Sequence, residues 1–139
     1  MYREYIESRM ADNEWIKPHP PASVQQISTA ESAMGVKFPK ELTDFLSEMN
    51  GDGYFLLTAE HIVEYNNMNR DILGEVYDGL DKLLYIAENG CGDYYCYVIE
   101  NGSIDSTQIV CWEHETNETY PVADDLMQLI VKYYNSEIA

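Results

Sequence analysis

The feature that most constrains this chain is a change in hydrophobic period along its length. Apolar residues recur at helical spacing over roughly the first 65 positions and give way to short β-branched and aromatic runs between Leu83 and Glu113. Helical spacing returns at Leu126, Leu129, Ile130 and Tyr133. A helix repeats its buried face every 3.6 residues and a strand every second residue, so a segment patterned for one cannot bury its apolar side chains as the other. Helices first, turn-connected strands next and a closing helix predict an α+β domain, an antiparallel meander with helices packed on one face. The length of 139 residues, 45% of them hydrophobic, suits one core rather than two.

Local signals place the elements. Tyr2, Tyr5, Ile6 and Met10 predict an amphipathic helix ending before Trp15, and the prolines of Lys17-Pro18-His19-Pro20-Pro21 then hold the chain extended. Ser23 and Gln26 form a capping box for a helix carrying Val24, Ile27, Ala30 and Met34 on one face, with Gly35 as its stop. Pro39 suits the first position of the next helix, whose Leu42, Phe45, Leu46 and Met49 fall on one face before Asn50-Gly51 ends it. Residues 53–57 read as a short strand, and Thr58 as the cap of a helix carrying Ile62, Val63 and Tyr65. From Asn66 to Asp81 the pattern fades into irregular or partly helical chain. Strands follow at 83–87, 94–99 and 108–113, with Asn101-Gly102 as a hairpin signal between the last two. Asp124 and Asp125 sit favourably at the positive end of the final helix.

Charge narrows the classes of partner. Twenty-five Asp and Glu face eight Lys and Arg, a formal net charge of -17. Such a surface repels nucleic acid and anionic membrane and so argues against both. The excess is regional: between Arg70 and Lys132 the only basic residue is Lys82, against thirteen acids from Asp71 to Asp125. No apolar run is long enough to span a bilayer and the first ten residues lack the core of a secretory signal, which predicts a cytoplasmic protein. Three cysteines, Cys91, Cys96 and Cys111, cannot all pair within the chain and match no zinc or redox spacing, in keeping with a reducing compartment. Asn101-Gly102-Ser103 and Asn117-Glu118-Thr119 fit a glycosylation sequon but read here as turns.

Few residues suggest chemistry. Glu113, His114 and Glu115 bring acid, base and metal-ligand groups together, yet strand alternation directs the two glutamates away from His114. His19 and His61 lie in other segments, so His114 is expected to be structural, hydrogen-bonded near the sheet edge, and no metal or cofactor is expected. No activating base accompanies the cysteines, and no catalytic residue is assigned. Gly90, Gly92 and Asp93 match no phosphate-binding loop and read as a turn that Asp93 braces through its carboxylate. Tyr95 and Tyr97 share one strand face with Tyr94 opposite, so one set packs in the core and the other either fits a half-buried sheet or serves as an aromatic anchor for a partner.

The run from Ile27 to Leu46, with Glu31 on the first helix, Phe38-Pro39 opening the second and Asn50-Gly51 closing it, resembles the opening signature of the SMI1/KNR4-like (SUKH) family. Ile86-Ala87-Glu88-Asn89-Gly90-Cys91-Gly92-Asp93-Tyr94-Tyr95 is similar to that family's strand, Gly-rich turn and Gly-Asp pair, with Cys91 where a glycine is common. Val110-Cys111-Trp112-Glu113-His114-Glu115 is similar to its aromatic-acidic strand end. The likeness runs from about Ser23 to Tyr134. It divides the chain into an N-terminal helix and proline-rich connector, 1–22, and a family-type domain, 23–139. The resemblance implies a non-enzymatic protein-binding domain, used in bacteria chiefly as an immunity protein against toxins, often nucleases. The alternative it implies is an intracellular scaffold that binds a non-toxin partner. With the charge, it makes a basic toxin domain the expected partner and Asp71, Glu75, Asp78, Asp93, Tyr94, Glu113 and Glu115 the candidate contacts.

Overall fold

The computed structural model describes residues 1–138. Four helices come first: α1 (Tyr2–Ser8), α2 (Val24–Met34), α3 (Lys40–Glu48) and α4 (Ala59–Leu73). A single 3-10 turn at Leu80–Lys82 leads into β1 (Leu83–Glu88), β2 (Tyr94–Val98), β3 (Ile109–Trp112) and β4 (Thr119–Ala123), and α5 (Leu126–Tyr134) closes the chain. The strands pair in sequence order, all antiparallel, so the α+β meander predicted from the change of period is present.

The helix signals act as the sequence implies, with local differences. Ser23 Oγ accepts from the Gln26 N–H while Gln26 Oε1 accepts from the Ser23 N–H, and Gly35 ends α2 in a left-handed conformation. Val24 does not join the buried face. It is 85% exposed, because the first residue of α2 points away from the core that Ile27, Ala30 and Met34 enter. Pro39 is extended (ψ 147°), so α3 begins one residue later than expected. Helix α1 stops at Ser8, two residues short of Met10, which is left exposed. Tyr2 and Ile6 nonetheless insert into the common core, Tyr2 meeting Phe45 edge-on, and the Arg3 guanidinium donates to the Glu48 carbonyl.

Residues 53–57 form less strand than predicted. Asp52 Oδ1 accepts from the N–H groups of Tyr54, Phe55 and Leu56 at 2.9–3.0 Å, which removes those donors from any ladder. What remains is one antiparallel bridge, Leu56 to Ala87, flanked by bonds from Leu57 N–H to the Ile86 carbonyl and from Glu88 N–H to the Phe55 carbonyl. Helix α4 in turn runs well beyond Tyr65, through the stretch where hydrophobic periodicity fades. Its inner face there is polar: Asn66 is buried, its amide bonded to both the N–H and the carbonyl of Tyr85, and the Arg70 guanidinium reaches the Leu83 carbonyl. These side chains stand in for a neighbouring strand and close the β1 edge. At the far edge, β4 was not signalled by the sequence, and Pro121 within it removes one ladder donor.

Strands β1 to β3 are packed through both faces, whereas β4 is largely exposed. Tyr95 and Tyr97 point to the α3/α5 side, where Glu41 Oε2 accepts from the Tyr97 hydroxyl (2.6 Å) and the Leu126 N–H (3.0 Å), tying α3, β2 and α5 together. On the other face Tyr85 stacks on Tyr94 with ring centroids 4.2 Å apart and on Trp112 at 5.5 Å. Asn101 and Gly102 both have positive φ and form the expected two-residue turn, but residues 104–108 intervene before β3 begins.

Candidate functional site

Part of the acidic sequence after Arg70 lies at one end of the sheet, where three loops are fastened together, while Asp81, Glu100, Asp105, Asp124 and Asp125 lie at the other end. In the 89–93 turn, Asn89 Oδ1 accepts from the N–H groups of Cys91 (2.8 Å) and Asp93 (3.3 Å). Asp93 Oδ1 reaches across to the next connection and accepts from the His114 backbone N–H (3.0 Å) and from His114 Nδ1 (2.6 Å). Gly92 has φ 100°, and a Cβ there would lie 2.9 Å from the His114 ring, so this approach requires glycine. The third loop follows α4: the Tyr77 hydroxyl donates to the His114 carbonyl (2.7 Å), and Asn117 Nδ2 donates to the Asp78 carbonyl (3.1 Å). Asn117 Oδ1 accepts from Trp112 Nε1 (2.8 Å), which anchors the loop to the buried indole.

The residues at 113–115 are therefore not in a strand. β3 ends at Trp112 and the chain turns, with Asn117 N–H bonded to the Glu113 carbonyl and Asn117 at φ 60°. The alternation expected at these positions does not apply, and His114 meets two carboxylates, Asp93 at Nδ1 and Glu115 at 3.9 Å from Nε2. The bond to Asp93 raises the His114 pKa above its ordinary 6.5, with the charges of Glu115 and Glu113 adding to it. Desolvation pushes the Asp93 carboxyl up, but the two bonds from His114 and one from Asn89 outweigh it and hold the group below its usual range.

The candidate contacts fall into distinct positions. Asp93, Glu113 and Glu115 are brought together around His114, with Asp93 spending its carboxylate on bracing the loops, and Asp78 is tied to the same loops through its backbone carbonyl. Asp71 is exposed on the last turn of α4 and Glu75 is exposed just beyond its end. Tyr94 is half-buried between Tyr85 and Tyr65, so its ring is committed to the sheet, and burial pushes its hydroxyl up to about 12. Among the described residues, Glu75, Asp78, Glu113 and Glu115 have no Lys or Arg ion-pair partner. Asn117 and Asn89 are read from sequence only as turn residues, with no part in a site, and Tyr77 is not singled out at all. Only the turn propensity of the two asparagines pointed towards them.

Among the described residues no three His, Cys, Asp or Glu side chains gather as a metal site. Cys96 and Cys111 are buried thiols whose pKa values burial pushes upward, Cys96 far so, which disfavours their thiolate forms. No helix among the described residues is long and apolar enough to cross a membrane.

The residues that carry the sequence signature are occupied with the scaffold. Glu31 Oε2 accepts from the Phe38 N–H (2.7 Å), joining α2 to the start of α3. Asn50 is buried, its oxygen accepting from the Ala59 N–H and its amide donating to Glu60, while the buried Asp52 receives the Tyr134 hydroxyl as well as its three N–H groups. A meander closed by helices, held by this Glu-Asn-Asp framework and the Asp93–His114 brace, defines a class of small α+β domain. The sequence model of the SMI1 / KNR4 family (SUKH-1) matches residues 21–132, and the chain belongs to that family. It is similar to YnaB, an uncharacterised protein of Bacillus subtilis (strain 168), with 35% identity over 94 residues. The alignment covers 63% of this chain and 65% of YnaB, so the chain spans just under two thirds of that relative.

Proposed function

We propose that this chain is a protein-binding domain of the immunity type, which neutralises a basic toxin domain by occupying its active site or substrate groove. The observation that supports the reading is the hydrogen-bonded acidic platform of the 74–79, 89–93 and 113–118 loops. Binding to loops that are already ordered costs less conformational entropy than ordering them on contact. A toxin that acts on nucleic acid has to attract phosphate, so a platform carrying Glu75, Asp78, Glu113 and Glu115 is complementary to the surface such an enzyme presents. Long-range attraction between the two fields accelerates encounter, and coverage of the groove then excludes substrate.

Where a toxin-type domain is encoded beside the gene, co-expression with it is the test. Growth should be restored by the wild-type chain and lost when Glu75, Asp78 and Glu115 are all replaced by lysine. Cells that die equally with and without the wild-type chain would sink the immunity reading for that pair.

A further inference from the structure

Helix α4 turns a second kind of surface outward beside the acidic platform. Its inner side is spent on the sheet edge through Ile62, Asn66 and Arg70. On the outer side Met68 and Ile72 stand four residues apart, hence adjacent on the helix surface, and are 42% and 67% exposed. The helical path continues briefly past Leu73: Gly74 N–H bonds to the Arg70 carbonyl and Tyr77 N–H to the Leu73 carbonyl. That geometry carries Val76, 73% exposed, about one turn further along the same side. Three aliphatic side chains in a row is more than the scattered exposure ordinary surfaces show, and such a row marks a contact site.

The charge around the row says what covers it. Asp71 and Glu75 flank it and Asp78 follows, while Arg70 of the same helix is turned inward to the Leu83 carbonyl. A second copy of this chain docking about a two-fold axis would set these acids against their own equivalents, a repulsive arrangement. A partner with a basic rim and an apolar centre meets no such repulsion.

The geometry points to the Met68–Ile72–Val76 stripe as the apolar centre of a docking surface for a basic amphipathic segment of a partner protein, continuous with the acidic platform through Val76, Tyr77 and Asp78. The inference rests on the binding role proposed above and adds a division of labour. Acids govern encounter, and the stripe governs how long the complex lasts, since buried apolar anchors at an interface centre set dissociation.

The probe is a synthetic helical peptide with a leucine seam flanked by lysines, titrated into isotope-labelled protein by NMR at physiological salt. A second peptide carries glutamates in place of the lysines. Shifts centred on Met68, Ile72 and Val76 are expected with the lysine peptide and none with the glutamate peptide. The double variant Ile72→Ser/Val76→Ser, at two exposed positions, should keep the native spectrum and bind at least roughly tenfold more weakly. Failure of the lysine peptide to bind, or equal binding by the double variant, overturns the inference. So do concentration-dependent shifts of the same residues in protein alone, which would mark a self-association face. The co-expression assay separates the two readings: protection of cells by a chain that ignores the peptide defeats the stripe alone, and peptide binding at the stripe without protection defeats the immunity role alone.

Discussion

Asn66→Ala tests whether a single buried amide closes the sheet edge. Asn66 Nδ2 donates to the carbonyls of Ile62 (2.7 Å) and Tyr85 (3.0 Å), and its oxygen accepts from the Tyr85 N–H (2.8 Å). Tyr85 lies where the β1–β2 register shifts, and strand β2 does not take these two groups. Truncation leaves a buried N–H and a buried carbonyl unpaired, at about 1–3 kcal/mol each, so a loss of about 4 kcal/mol is expected. That is a large share of the roughly 5–15 kcal/mol that holds a domain folded. For a chain of this size it corresponds to a fall in Tm of about 10–15 °C. Urea denaturation followed by far-UV circular dichroism measures it, with the exposed neighbour Asn67→Ala expected to stay within about 0.5 kcal/mol. If Asn66→Ala loses no more than Asn67→Ala, the edge is closed by something other than this amide and the reasoning fails.

Three further outcomes follow from the same geometry. Asp93 contributes stability above its ordinary carboxylate range that is lost as pH falls through its lowered folded pKa. His114 contributes stability below 6.5 that is lost as pH rises through its raised folded pKa. An NMR titration should therefore place the His114 midpoint above 6.5 and find it lower in Asp93→Asn; an unmoved midpoint would remove the brace. Thiol labelling of native protein should modify the exposed Cys91 quickly and spare Cys96 and Cys111 until denaturant is added, whereas fast labelling of all three would contradict their burial. Asp52→Ala strands three N–H groups and should cost about 3 kcal/mol or more. Asp52→Asn keeps an acceptor oxygen and relieves a carboxyl that burial already pushes up, so thermal melts should show it much the milder change; equal losses would refute that division.

The apolar elements were legible in the sequence because period and caps reported them directly: Ser23 with Gln26, Gly35, the Leu42–Phe45–Leu46 face and the aromatic strands. What escaped was polar. The second half of α4 buries Asn66 and turns Arg70 inward, so its inner face carries no hydrophobic repeat to read. β4 was hidden by Pro121, which reads as a strand breaker unless the strand is known to lie at an edge. The partial strand at 53–57 was over-read because nothing local shows that Asp52 captures its N–H groups. At the site, sequence located the acidic excess after Arg70, but the loops that gather it are joined by contacts such as Tyr77 to His114 and Asp93 to His114, which link residues far apart in the chain.

In the proposed function the acidic platform steers the chain onto a basic toxin domain, and the association rate constant as a function of ionic strength reports on that steering. Stopped-flow mixing of the two purified domains should give a rate that falls steeply with added salt. Replacement of Glu75, Asp78 and Glu115 by lysine should slow it by on the order of tenfold or more at low salt and flatten the dependence. A rate that is indifferent to salt and unchanged by the three substitutions would rule out steering by these acids.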